Sequence, residues 1–180
     1  MSKKETIIAI MILVLVGISH RIFPHPPNFA PVAAISLFSG FYFRRYFILI
    51  PIAIMLISDI FIGFYDWKLM SVVYLSFILI SLIGIILRRN KSIVFLIGGS
   101  LFGSILFFLL TNIAVWIFGQ WYTHDFKGLI ECYTLAIPFF KNTLTGDLFY
   151  TSLIFGAYEL LAMPKEKLSF IFSKTDINNF

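Results

Sequence analysis

Six apolar stretches, separated mostly by short polar breaks, take up nearly all of this chain: 7–23, 31–43, 46–64, 69–87, 93–118 and 143–163. In hydrocarbon every peptide N–H and C=O has to be satisfied internally, so runs of this kind fold as helices or not at all. Hydrophobic side chains make up 59 % of the 180 residues and charged ones 13 %, well above the roughly 45–50 % apolar share of soluble domains. Six spans of ~20 residues consume most of such a chain. The expectation is an all-α polytopic membrane protein, a single domain over residues 1–180 with six transmembrane helices.

The basic residues then set an orientation. Ten of them (Lys3, Lys4, Arg44, Arg45, Arg88, Arg89, Lys91, Lys165, Lys167 and Lys174) fall on the side of the N-terminus, and four (Arg21, Lys68, Lys127 and Lys141) on the other. That bias predicts both termini inside, because short cytoplasmic loops collect Lys and Arg. If residues 30–43 were a re-entrant stretch, the split would become five inside against nine outside, which the same bias disfavours. The net charge of +5 therefore reflects topology and anionic lipid headgroups, and no basic patch interleaved with aromatics points to nucleic acid. Lys3 and Lys4 before an apolar run also resemble a secretory signal, but the stretch around Gly17 is a poor cleavage site and is read as the first span.

Between the first two spans, Pro24, Pro26, Pro27 and Pro31 forbid a regular helix and leave carbonyls free. The second span, 31–43, is short for ~30 Å of hydrocarbon. The longest loop, 119–142, contains an apolar stretch broken by Pro138. It is read as a short external surface helix or lid between helices five and six, with Asn142 and Thr143 capping the sixth helix. Gly99 and Gly103 form a small-xxx-small pair suited to close helix contact, inside the bundle or with a partner. Ser58-Asp59-Ile60-Phe61 and Gly146-Asp147-Leu148-Phe149 are alike, but both acids fall at the outer side, so no inverted repeat is assigned.

Polar side chains converge on the outer half. His20 and Arg21 end span one, Asp59 lies near the end of span three, Asn112 and Trp116 near the end of span five, and Asp147 near the start of span six. The loops add His25, Asn28, Cys132, Lys141 and Asn142. An ionisable residue at a helix centre costs roughly 2.5–3.5 kcal/mol on insertion scales, so both acids should face protein or water. Either they line an outward-facing pocket with a closed, apolar floor, or they pair with Arg21 and Lys141 as scaffold. Cys132, the one cysteine, reads more readily as a small buried apolar residue than as a nucleophile or metal ligand. No phosphate-binding loop, zinc motif or nucleophile elbow is present, so neither ATP hydrolysis by that route nor another enzymatic activity is expected, and no cofactor or metal is assigned.

The segments His20-Arg21-Ile22-Phe23-Pro24-His25-Pro26-Pro27-Asn28-Phe29-Ala30-Pro31, Ser58-Asp59, Leu110-Thr111-Asn112 with Trp116, and Cys132-Tyr133 through Asn142-Thr143-Leu144-Thr145-Gly146-Asp147 closely resemble an uncharacterised bacterial family of small integral membrane proteins described as candidate transport proteins. The resemblance implies a multi-pass protein of the bacterial inner membrane. In size, span number and outer polar half the chain is also similar to the substrate-binding (S) components of energy-coupling-factor vitamin transporters. That likeness implies capture of a small vitamin-like or metal-containing solute and a separate membrane coupling subunit with ATPases. The small-residue docking pair those proteins carry on the first helix is absent, since Ala9 is followed four residues later by Leu13. Ala30 with Ala34, or Gly99 with Gly103, are the candidate substitutes. The expectation is solute capture, with a stand-alone proton- or cation-coupled transporter or channel, using Asp59 and Asp147, as the rival.

Overall fold

The computed structural model describes residues 3–90 and 92–162, and among them all regular structure is helical. Its helices are α1 (Lys3–Ile22), α2 (Val32–Tyr42), α3 (Leu49–Ile62), α4 (Trp67–Leu87), α5 (Ile93–Phe118) and α6 (Phe126–Ala162), with a 3-10 turn at Arg44–Tyr46. Three of them, α1, α4 and α5, are long and apolar enough to cross a membrane. Loops 23–31, 63–66 and 119–125 lie at one end of the bundle, called the upper end below. The Arg44–Tyr46 turn and Arg88 lie at the other. Large apolar side chains stay exposed along α1, α3, α4 and α5, among them Leu15, Phe61, Ile86 and Phe102, an apolar surface of the kind that meets a membrane or a partner protein.

The shortest helix occupies the centre. Every residue from Val32 to Phe41 is buried, and α2 packs against α3, α4, α5 and α6. Close approach to α4 depends on two glycines. A Cβ on Gly40 would land on the Ser81 carbonyl, and one on Gly84 would land on the Leu37 carbonyl, so the two backbones touch. Small residues at such a crossing let van der Waals contact substitute for the hydrophobic drive that lipid does not supply. Ser39 and Ser81 meet across the same contact at 3.4 Å. Gly99 and Gly103 turn to α4 as well, toward Leu87 and Ile80, so that pair acts inside the bundle. Ala34 is also fully packed inside, which leaves neither candidate docking pair on the surface.

The region between helices five and six departs from expectation. There is no separate lid, because residues 126–162 form one helix of ~55 Å at 1.5 Å per residue. Asp125 starts it, accepting from the Gly128 N–H (2.7 Å) and the Thr123 hydroxyl (2.8 Å). Those two donors, the backbone N–H foremost, hold the Asp125 carboxyl below the usual carboxylate range. Pro138 sits inside the helix and removes one backbone donor, but neighbouring contacts hold the first third in line. The Tyr133 hydroxyl donates to the Leu109 carbonyl at 2.7 Å, and the Phe108 and Phe140 rings lie 4.5 Å apart; with the Cys132–Asn112, Asp147–Ser104 and Thr151–Ser100 contacts, they run α6 antiparallel along α5 from Asn112 to Ser100. Asn142 and Thr143 are consequently mid-helix and cap nothing. The Thr143 hydroxyl donates to Phe139 O at 3.0 Å in its own helix. The end expected at Met163 lies outside the described residues.

Candidate functional site

Because α2 covers only ~16 Å of a bundle whose α4 and α5 run ~30–40 Å, space remains above its first turn. The proline-rich loop only partly fills it. A cavity of about 320 Å³ remains there, lined on its polar side by Arg21, His25, Asn28, Tyr65, Thr143 and Asp147. The apolar side comes from Val32 and Ala33 of α2, Val73 and Phe77 of α4, and Phe107 of α5. Below it, Ile35, Leu37, Ile54 and Ile80 are almost completely buried and close the floor.

The loop over the cavity is pinned at three points. Asn142 Nδ2 donates to the Pro27 carbonyl at 3.0 Å. Phe29 lies against Gly146, where a Cβ would meet its ring at 3.2 Å, and against Tyr150 with ring centroids 5.5 Å apart. His20 Nε2 and the Tyr150 hydroxyl are 2.6 Å apart, and the His20 ring sits 4.8 Å from that of His25. His25 Nδ1 carries a proton toward the Pro26 carbonyl (2.8 Å), since a carbonyl only accepts. Asn28 takes φ 62°, a left-handed value that Asn tolerates better than most side chains.

Arg21 and Asp59 form an ion pair with a Nη2–Oδ1 distance of 2.7 Å, and Asp59 is only 1 % exposed. The second Asp59 oxygen accepts from the Tyr74 hydroxyl at 2.6 Å. Arg21 Nη1 is held by Ser58 Oγ at 2.5 Å and the Met55 carbonyl at 3.3 Å. Asp59 therefore stands behind Arg21 and does not line the cavity itself; the guanidinium does. Asp147 is 3 % exposed and accepts one hydrogen bond, from Ser104 Oγ to Oδ2 at 2.6 Å. Among the described residues no cation pairs with it, and Lys141 is exposed on another face.

Of the residues singled out in sequence, Arg21, His25, Asn28 and Asp147 meet at the cavity, with Asp59, His20 and Asn142 one contact behind. The others lie elsewhere. Asn112 Nδ2 donates to Phe108 O in its own helix, and Cys132 Sγ reaches Asn112 O at 3.5 Å, a buried packing position. Trp116 Nε1 donates to the Thr123 carbonyl and holds the α5–α6 loop. Among the described residues no group of three His, Cys, Asp or Glu side chains is placed to hold a metal. Tyr65, Tyr74, Ser104 and Tyr150 were not anticipated. Tyr74 and Ser104 are polar positions inside apolar runs, which is the signal that marks them.

The cavity also borders an open helix end. Pro31 precedes the first turn of α2 and no side chain caps it, so the early amides of α2 are free where Val32 and Ala33 line the space. The amides expected from α6 are not there, since that helix begins at Phe126, nearly six turns before Asp147. Comparison with curated proteins and with solved structures gave no match for this chain. A family model does match residues 1–170, and the chain belongs to that family, DUF6580, a family of unknown function.

Proposed function

We propose that this chain is a six-span membrane protein with both termini in the cytoplasm that captures a small solute from outside, in the manner of the S components it resembles. The observation that carries the reading is the upper-end cavity: about 320 Å³, partly apolar, with a few convergent polar groups and a sealed floor. Small-molecule sites have this character and begin at roughly 300 Å³. Orientation is supported by the opposite end, where Arg44, Arg45 and Arg88 gather around one depression, as cytoplasmic loops do. A coupling subunit, if it docks, uses a face other than Ala34 or Gly99 with Gly103, which are internal. The exposed apolar side of α1 is one available face.

Native mass spectrometry of the full chain, purified in mild detergent, tests the reading. A small non-lipid adduct that Ile62→Trp, at the cavity wall, removes is the expected result. Only lipid and detergent adducts, unchanged in that variant, would count against it. A second reading is favoured by the lone carboxyl of Asp147: a stand-alone proton- or cation-coupled transporter. Solute flux in proteoliposomes lacking any ATPase supports that one instead.

A further inference from the structure

Charge balance around the cavity narrows its occupant. The positive charge of Arg21 is answered at 2.7 Å by Asp59, whose other oxygen is taken by Tyr74. The uncapped start of α2 contributes roughly half a positive charge. Asp147 contributes a full carboxyl with one hydroxyl as partner, and its Oδ1 accepts no hydrogen bond among the described residues. The acceptor oxygen left without a donor therefore sits at one point, Asp147. Surplus donors sit elsewhere in the same cavity: Arg21 uses Nη1 and one Nη2–H and keeps further N–H groups, and the first amides of α2 are free. Phe77 and Phe107, with ring centroids 5.1 Å apart, supply an apolar, aromatic wall.

We infer that the cavity is shaped for a small amine: a solute of amino-acid size whose ammonium meets Asp147 and whose carbonyl or carboxylate meets Arg21 and the first turn of α2. The inference rests on the cavity being a solute site, as proposed above. At ~30 Å³ per water-sized unit, 320 Å³ accommodates about ten non-hydrogen atoms. A bare inorganic cation fits poorly, because the wall is mainly carbon and hard cations need about six or more oxygens. A simple anion meets the donors but also the uncompensated carboxyl.

Matched ligands test the inference on the wild-type chain. The panel contains the amides of the standard amino acids, their N-acetylated counterparts, and the corresponding carboxylates lacking the amine. Thermal unfolding in detergent finds binders and calorimetry ranks them. At least one free amine should bind, its N-acetylated form should bind about tenfold or more weaker, and Asp147→Asn should lose a similar factor while Asp147→Glu retains part of it. Because the matched pairs need no variant, the comparison stands even if Asp147→Asn fails to fold. Binding of N-acetylated or amine-free members as tight as that of their amines overturns the amine assignment and leaves the cavity reading standing, as does a co-purified solute lacking an amine. No binding by any class, with no small adduct in native mass spectra, overturns both.

Discussion

Replacing Arg21 with methionine keeps most of the side-chain volume and removes the guanidinium from a carboxylate that is 1 % exposed. Asp59 is then left with one partner, the Tyr74 hydroxyl at 2.6 Å. Each charge-assisted hydrogen bond is worth roughly 1.5–3 kcal/mol, and breaking a buried pair from one side costs roughly 3–5 kcal/mol because the remaining charge stays desolvated. The Arg21 side chain is 16 % exposed, so the lower end applies, about 3 kcal/mol. For a chain of this size that corresponds to a fall in Tm of roughly 6–12 °C. Thermal unfolding in dodecyl maltoside, followed by circular dichroism, measures it. Removing both charges with Arg21→Met and Asp59→Leu should recover much of the loss, giving a coupling of about 2 kcal/mol or more between the two positions. A cost below about 1 kcal/mol for Arg21→Met, or strict additivity in the double variant, would refute the pairing.

Gly84→Leu should abolish folding, because its Cβ meets the Leu37 backbone rather than a side chain that can turn aside. Gly98→Ala, with nothing within 4 Å, should be neutral or stabilise by up to about 1 kcal/mol; yield and Tm report both. Cys132, buried at 2 % exposure between α5 and α6, should resist maleimide in the folded protein and react fully once denatured; rapid native labelling would contradict the packing of the first third of α6. In a Cys132→Ser background, Asp66→Cys should label with impermeant maleimide on intact cells and Arg89→Cys only after permeabilisation; the reverse pattern would invert the orientation.

The apolar runs made the helices legible, and the ends of α1, α4 and α5 fall within a few residues of the expected ones. Grouping Arg21, His25, Asn28 and Asp147 at one end was legible too, since position along the bundle follows from counting residues along alternating helices. The central burial of α2 was not, because hydropathy scores Val32–Tyr42 and Leu49–Ile62 alike whether lipid or protein covers them. Nor was the Gly40–Gly84 contact, which joins positions far apart in sequence and is created only when α2 lies on α4. Pro138 read as a break in the α5–α6 segment, because sequence does not show that packing on α5 keeps the helix in line across one missing hydrogen bond. That continuity moved Asp147 from the first turn of a helix to beyond its midpoint and transferred the free amides from α6 to α2.

The cavity above α2 is tested most directly by comparing two buried positions in the Cys132→Ser background. Thr143 is 6 % exposed but lines the cavity, whereas Ser81 is 0 % exposed and sealed between α2 and α4. On intact cells a small impermeant methanethiosulfonate reagent should modify Thr143→Cys readily and leave Ser81→Cys untouched. Equal resistance at both positions, with the variants folded, would contradict an outward-open cavity at this end of the bundle.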